Sequence, residues 1–260
     1  MKFTIKAKKL RDYLEDVYLK GKYYNGHESK NGVLSEYAVL LIETDSLKIV
    51  NASTSVACRI DHWFQIGATY QSGMCVVEIN TMLKHLKVFS GDITFASDDY
   101  ITINSEGKKA SMSKVLTHPN MDMITRITNY DMLQLTGVTI ENPTEHVDVS
   151  FGKTEYECKL CTVEVDMVEA SKACDVLGIA RYKFEYVDDK LIISSKKTEV
   201  DKIEVEVELL EGTGDPSTVE FTGPFSGFMH GPVSIYMKDE SPILFSSSNR
   251  MMIKAPYLTR

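Results

Sequence analysis

The sequence predicts an α+β protein of two tandem domains, each built from antiparallel sheets and paired short helices. Three observations carry this expectation. A strand, a helix and a series of further strands occur in order near the N-terminus, and the same order returns after the midpoint of the 260-residue chain. Tight polar turns separate neighbouring strand-like runs at hairpin spacing, which implies antiparallel pairing. The helical stretches carry their apolar residues on one stripe, as helices packed on a sheet do. Internal repetition can reveal architecture before any motif does.

In the first copy, residues 3–7 (Phe-Thr-Ile-Lys-Ala) alternate as a strand and Lys8 to Lys20 follow as a helix. Leu10, Leu14, Val17 and Tyr18 give that helix its buried stripe. Strands are expected over 33–43, 47–51, 56–63 and 74–78. A second helix over 80–90 has Met82, Leu83, Leu86 and Phe89 inside and Lys84 and Lys87 outside. Strands over 93–96, 100–104 and 108–115 close the unit. Thr44-Asp-Ser46 and Ser97-Asp-Asp99 supply turn chemistry.

The second copy opens with a strand at 163–165 and a helix over 166–177, whose inner residues are Met167, Ala170, Ser171, Cys174 and Leu177. Strands follow over 182–187, 190–195, 202–210, 233–237, 243–246 and 250–255. A fourth helix over 221–230 is weak, because Pro224 and Gly227 fall inside it. The domains are therefore 1–116 and 158–260, with a connector over 117–157. That connector is long for a loop and carries a short helical pattern at 130–135. Segments of this kind are usually functional.

No apolar run approaches the roughly 18 residues of a membrane span, and the N-terminus runs straight into a strand with no signal-peptide pattern. Five cysteines without a framework fit free thiols in a reducing, intracellular setting, cytoplasmic or nuclear. No metal or cofactor site is expected. The six histidines are scattered, Cys158-Lys-Leu-Cys161 lacks a second ligand pair, and Gly212-Thr-Gly-Asp-Pro216 lacks the lysine of a phosphate loop. Nothing has catalytic spacing, so the chain is read as a non-enzyme. A net charge of −8 argues against general coating of nucleic acid but leaves room for a local basic face. Lysines on helix faces opposite the core stripes are the remaining signal: Lys8, Lys9, Arg11, Lys20, Lys84, Lys87 and Lys172.

This order of elements resembles the sliding clamps, the proliferating cell nuclear antigen (PCNA) family with its archaeal and viral members. The resemblance covers essentially the whole chain. Residues 47–60, from Leu47 through Val50, Asn51, Ser55, Val56 and Cys58, look like the family's Met-Asp-x-Ser-x-Val stretch. Residues 77–87 resemble its strand-to-helix step. Ser241-Pro-Ile-Leu-Phe245 and the end at Ala255-Pro256 resemble its last two strands. Departures are the long connector, the degraded fourth helix, and Ile253 and Lys254 before Ala255-Pro256.

The resemblance implies the DNA clamp fold and a homotrimeric ring around duplex DNA, held through phosphate contacts without sequence preference. Strands 108–115 and 202–210 would join neighbouring subunits. The implied partners are a DNA polymerase, other proteins with clamp-binding peptides, and a clamp loader. Carried over, the peptide-docking set is Val50, Ser55, Val56, Cys58, Met123, Ile124, Ile127, Pro242, Ile253, Ala255 and Pro256. The alternatives are a monomeric clamp-like processivity subunit and an interaction scaffold that does not touch DNA.

Overall fold

A computed structural model describes residues 1–24, 27–28, 33–129 and 149–257. Along the chain run β1 (Lys2–Lys6), α1 (Ala7–Val17), β2 (Tyr23–Tyr24), β3 (His27–Glu28), β4 (Tyr37–Ile42), β5 (Ser46–Ala52), β6 (Val56–Trp63), β7 (Gly73–Glu78) and α2 (Ile79–Leu86). Next come β8 (Asp92–Ser97), β9 (Ile101–Ser105), β10 (Lys108–Met112), α3 (Met121–Thr128), β11 (Ser150–Phe151), β12 (Thr154–Glu155), β13 (Cys158–Val163) and α4 (Glu164–Asp175). The chain ends with β14 (Arg181–Val187), β15 (Lys190–Lys196), β16 (Lys202–Val207), β17 (Glu211–Gly214), β18 (Ser217–Thr222), β19 (Pro232–Met237), β20 (Ile243–Ser247) and β21 (Arg250–Lys254).

The chain forms two compact units. One comprises Met1–Lys20, Gly32–Ser53 and Ala57–Thr128, and the other Gly21–Asn31, Thr54–Val56 and Asn129–Arg260. The first contains a four-stranded sheet in the order β1-β8-β9-β10 and a run of strands β6-β5-β4-β7. The second contains the sheet β16-β15-β14-β18 and the run β17-β13-β19-β20-β21. Every pairing described is antiparallel. The period-2 rule is plain in β1, where Phe3 and Ile5 are buried while Lys2, Thr4 and Lys6 are exposed.

In the first unit α1 packs against α2. Leu10, Leu14 and Val17 of α1 and Met82, Leu83 and Leu86 of α2 are all buried, and the Asn80 amide donates to the Tyr18 hydroxyl at 3.1 Å. The second unit's core is aromatic. Phe184, Phe221, Phe225 and Phe245 are fully buried, and Phe184 meets Phe225 edge to face at 5.0 Å. That is the arrangement the ring quadrupoles favour.

The helix α3 was not foreseen; residues 121–128 had been assigned to the connector. Its Ile124 and Ile127 are buried, and it lies on β5. Buried Arg59, paired with Asp61, donates from Nη1 to the Ile127 carbonyl at 2.9 Å and the Thr128 carbonyl at 3.3 Å. Lys48 Nζ reaches the same Thr128 carbonyl at 2.9 Å. Two cations therefore cap the carbonyl end of a helix too short to be stable alone. Upstream, buried His118 accepts the Asn120 amide at Nδ1 (3.0 Å) and presents Nε2 to the Tyr37 carbonyl (3.1 Å) and the Asn51 side chain (3.2 Å). Burial lowers its pKa, so the ring is neutral with its proton on Nε2. The short helix expected at 130–135 lies outside the described residues.

The fourth helix, expected over 221–230, does not form. β18 occupies 217–222, and an irregular loop runs on to β19. Gly227 sits at φ +71°, which ends any helical path there. The loop's carbonyls are instead taken by cations. Lys254 Nζ donates to Pro224 O at 2.8 Å, Arg250 Nη1 to Phe228 O at 2.9 Å, and Lys22 Nζ to Gly227 O. Lys254 is 1% exposed, with its ammonium 5.2 Å from the Phe221 ring. Strand β17 falls on a glycine-rich stretch outside the strands expected from the sequence. Its Gly214 (φ +100°) lets the chain approach the Glu157 carbonyl more closely than any side chain would allow.

Lys254→Met keeps the length and apolar stem but leaves the Pro224 carbonyl without its donor. It should lower stability by about 1–3 kcal/mol in urea unfolding. No change would mean that packing alone holds the loop.

Candidate nucleic-acid interface

Helices α1 and α2 bring the foreseen cations to one helical pair. Lys8, Lys9, Lys84 and Lys87 are exposed and Arg11 is half-buried, opposite the buried stripes. Helix α2 contains no acid between Ile79 and Leu86, and Lys84 and His85 lie in its last turn. Helix α1 is less free. Arg11 lies 3.9 Å from Asp12, Lys20 lies 3.8 Å from Glu15, and Lys9 sits 5.7 Å above the Tyr13 ring. Such exposed pairs are worth at most about 1 kcal/mol, so a phosphate can displace them.

The second unit differs. Lys172 is exposed, but α4 also carries Glu164, Asp166, Glu169 and Asp175. Glu164 is engaged by His230 Nδ1 at 3.2 Å and the Gly231 amide at 3.3 Å. Helix α4 packs on β13, β15 and β16, and no second helix joins it among the described residues of that unit. One Lys172 among four carboxylates is a weak anion contact. The helical pair of the first unit has no counterpart here.

Of the residues named for peptide docking, six are core. Val50 lies in the interior of β5, Val56 and Cys58 are buried in β6, Ile124 and Ile127 are buried on α3, and Ile253 is buried in β21. Burial of these side chains closes the fold and leaves them little or no surface to offer a peptide. Met123, Pro242, Ala255 and Pro256 are half-buried and Ser55 is exposed. The Ala255 amide donates to the Ser55 carbonyl at 2.8 Å, which places those two residues side by side within the second unit.

Cys158 and Cys161 are three apart on β13 and so face opposite sides of the strand. Burial pushes the Cys158 thiol up to about 12 and raises Cys161 as well, which is the opposite of the shift that activates a nucleophilic thiol. Among the described residues no cluster of His, Cys, Asp and Glu is arranged to hold a metal ion, and no helix is long and apolar enough to cross a membrane.

No protein-family model matches the sequence, and no curated protein matches it by sequence. Solved structures do match. The beta subunit of DNA polymerase III from Thermotoga maritima aligns with 100% of this chain at 13% identity and a TM-score of 0.68. The corresponding subunit from Pseudomonas aeruginosa aligns with 99% at 14% identity and a TM-score of 0.69. This chain spans only 66% of either bacterial subunit. The PCNA of A. fulgidus, solved with the C-terminal region of FEN-1 bound, aligns at 11% identity and a TM-score of 0.64, over 100% of this chain and 99% of its own. Over its whole length, and at very low sequence identity, the chain has the fold of the DNA sliding clamps.

Proposed function

We propose that this protein is a DNA sliding clamp, a processivity factor that closes as a ring of three identical subunits around duplex DNA and tethers a polymerase and other enzymes to it. The observation that carries the reading is a pair of open sheet edges of opposite charge. Strand β10 ends the order β1-β8-β9-β10, and β16 ends the order β16-β15-β14-β18. Among the described residues no strand pairs with the outer side of either. Lys108 and Lys109 are exposed on β10, and Glu204 and Glu206 on β16, where they alternate with half-buried Ile203 and Val205. An open edge is a template for another strand. Two different complementary edges on one chain give a head-to-tail contact, which closes into a ring when the rotation allows. The A. fulgidus PCNA is covered almost end to end by this chain.

In this reading α1 and α2 face the duplex, with Lys8, Lys9, Arg11, Lys20, Lys84 and Lys87 touching phosphates and Lys172 contributing less. Contact of this kind carries no sequence information, so the ring slides. A clamp-binding peptide would dock on the second unit beside Ser55, Pro242, Ala255 and Pro256. The FEN-1 segment on the A. fulgidus protein supports this kind of partner. A loader that opens the ring completes the scheme, and the reading assigns the chain no reaction of its own. A second reading, a monomeric subunit that grips DNA from one side, draws support from the acidic α4 and the missing fourth helix.

Light scattering separates the two readings. Wild type should assemble at tens of micromolar, Glu204→Lys with Glu206→Lys should shift it to monomer, and adding Lys108→Glu with Lys109→Glu should restore assembly. A wild type that stays monomeric sinks the ring.

Lys84→Ala with Lys87→Ala should leave the fold intact and weaken retention on circular duplex. Each lost contact should also reduce the logarithmic salt slope by about 0.9. An unchanged slope removes α2 from the DNA face.

Ala255→Asp should abolish calorimetric binding of a consensus clamp-binding peptide while assembly persists, since a few apolar anchors dominate such interfaces. Equal affinity in variant and wild type refutes the site.

A further inference from the structure

A second feature of the second unit lies beside the edge strand β16 on which the clamp reading depends. A pocket of about 460 Å³ opens on the outer face of the sheet β16-β15-β14-β18, within the roughly 300–1,000 Å³ of small-ligand sites. Five cations line it, Arg181, Lys183, Lys196, Lys197 and Lys202, against two acids, Glu199 and Glu220. The hydroxyl residues Ser194, Ser195 and Thr198 complete the wall. The surrounding chain has a net charge of −8, so this concentration of positive charge runs against its background.

The sheet register shows how the charges converge. Lys183 lies opposite Ser194, and Lys196 lies directly opposite Lys202. Side chains two apart on a strand share a face, so Arg181, Lys183, Lys196 and Lys202 all project to the same side at one end of the sheet. Like charges directly opposite in a ladder are unfavourable, and this sheet keeps such a pair. Arg181 is also preset. Its guanidinium stacks 4.1 Å from the Tyr257 ring, and the Tyr257 amide is fixed to the Glu220 carbonyl at 2.6 Å. A stacked, planar fork suits bidentate recognition of phosphate.

Local carboxylates occupy four of the cations. Arg181 pairs with Glu220, Lys202 with Glu204, Lys183 with Glu185 at 2.6 Å, and Lys196 with Glu199 at 2.5 Å. All these pairs are substantially exposed, and Glu199 has 87% of its side chain in water. Pairs this exposed contribute at most about 1 kcal/mol each. An anion that meets several of the cations together can displace them. Lys197 has no ionic partner among the described residues. We propose that this pocket is a binding site for a compact phosphate-class polyanion of diphosphate or triphosphate size. Five cations around one pocket offer more donors than a single phosphate can use.

Isothermal titration of the full chain at constant ionic strength tests this. Pyrophosphate should bind saturably, one per chain, and orthophosphate more weakly. ATP should match pyrophosphate if the site takes a nucleotide's phosphate tail and fail to bind if only the free diphosphate fits. Lys196→Gln with Lys197→Gln and Lys202→Gln should weaken pyrophosphate at least about tenfold, since each charged hydrogen bond removed is worth more than 1 kcal/mol. The arginine version of the same triple variant should retain binding, and Lys84→Ala with Lys87→Ala should not affect it. Four results would overturn the site: no saturable heat, undiminished binding in the glutamine variant, loss in the arginine variant, or loss in the Lys84 and Lys87 variant. Lys202 lies on the edge strand β16, so light scattering of the triple variant accompanies the titration: pyrophosphate binding lost with assembly retained is the expected result, and wild type that assembles but gives no pyrophosphate heat overturns the site while leaving the clamp reading standing.

Discussion

Buried and half-buried cations bonded to backbone carbonyls hold the irregular parts of this protein to its sheets. A sheet satisfies its own amides, but a loop or a two-turn helix laid on a core does not, and each unpaired buried carbonyl costs about 1–3 kcal/mol. Arg59 and Lys48 meet that cost at the end of α3. Lys254, Arg250 and Lys22 meet it along the loop before β19. All five donors come from outside the segments they hold. Burying a lysine is expensive unless it finds such a partner, and Lys254 finds both a carbonyl and an aromatic face.

This dependence explains which elements could be read from the sequence. Strands with one buried face, such as β1, β14 and β15, show their alternation directly. The stripes of α1 and α2 are equally plain, because Leu10, Leu14 and Val17 follow helical spacing within a single segment. By contrast, α3 offers only the short stripe Ile124, Ile127 and Thr128 over eight residues, and its carbonyl end is held by Arg59, nearly seventy residues upstream. The segment over 221–230 looks like a failed helix because the residues that stabilise its real path, Arg250 and Lys254, lie more than twenty positions away. Strand β17 was hidden because Gly212 and Gly214 read as turn residues; here they are needed for close backbone approach.

The candidate site was legible to different degrees for a related reason. Charged residues opposite an apolar stripe must face water, so the exposure of Lys8, Lys9, Lys84, Lys87 and Lys172 followed from spacing alone. The docking residues came from a resemblance in linear order, and linear order does not report burial. Val50, Cys58 and Ile253 therefore proved to be interior. The pocket around Arg181 and Lys196 could not be anticipated at all. Its cations are spread over three strands and a turn, and only the sheet register brings them together.

Charge is distributed so that the two units cannot act alike. The first offers phosphate a helical pair whose second member has no acid between its ends. The second offers one lysine on a helix with four carboxylates, and a loop where its partner helix would lie. At roughly one counterion released per phosphate contact, a lysine with no acidic neighbour counts fully, and one surrounded by carboxylates counts for little. On the ring reading proposed above, the first unit of each subunit would supply most of the hold on a duplex. The acids on α4 also keep the whole chain acidic while one helical pair remains basic.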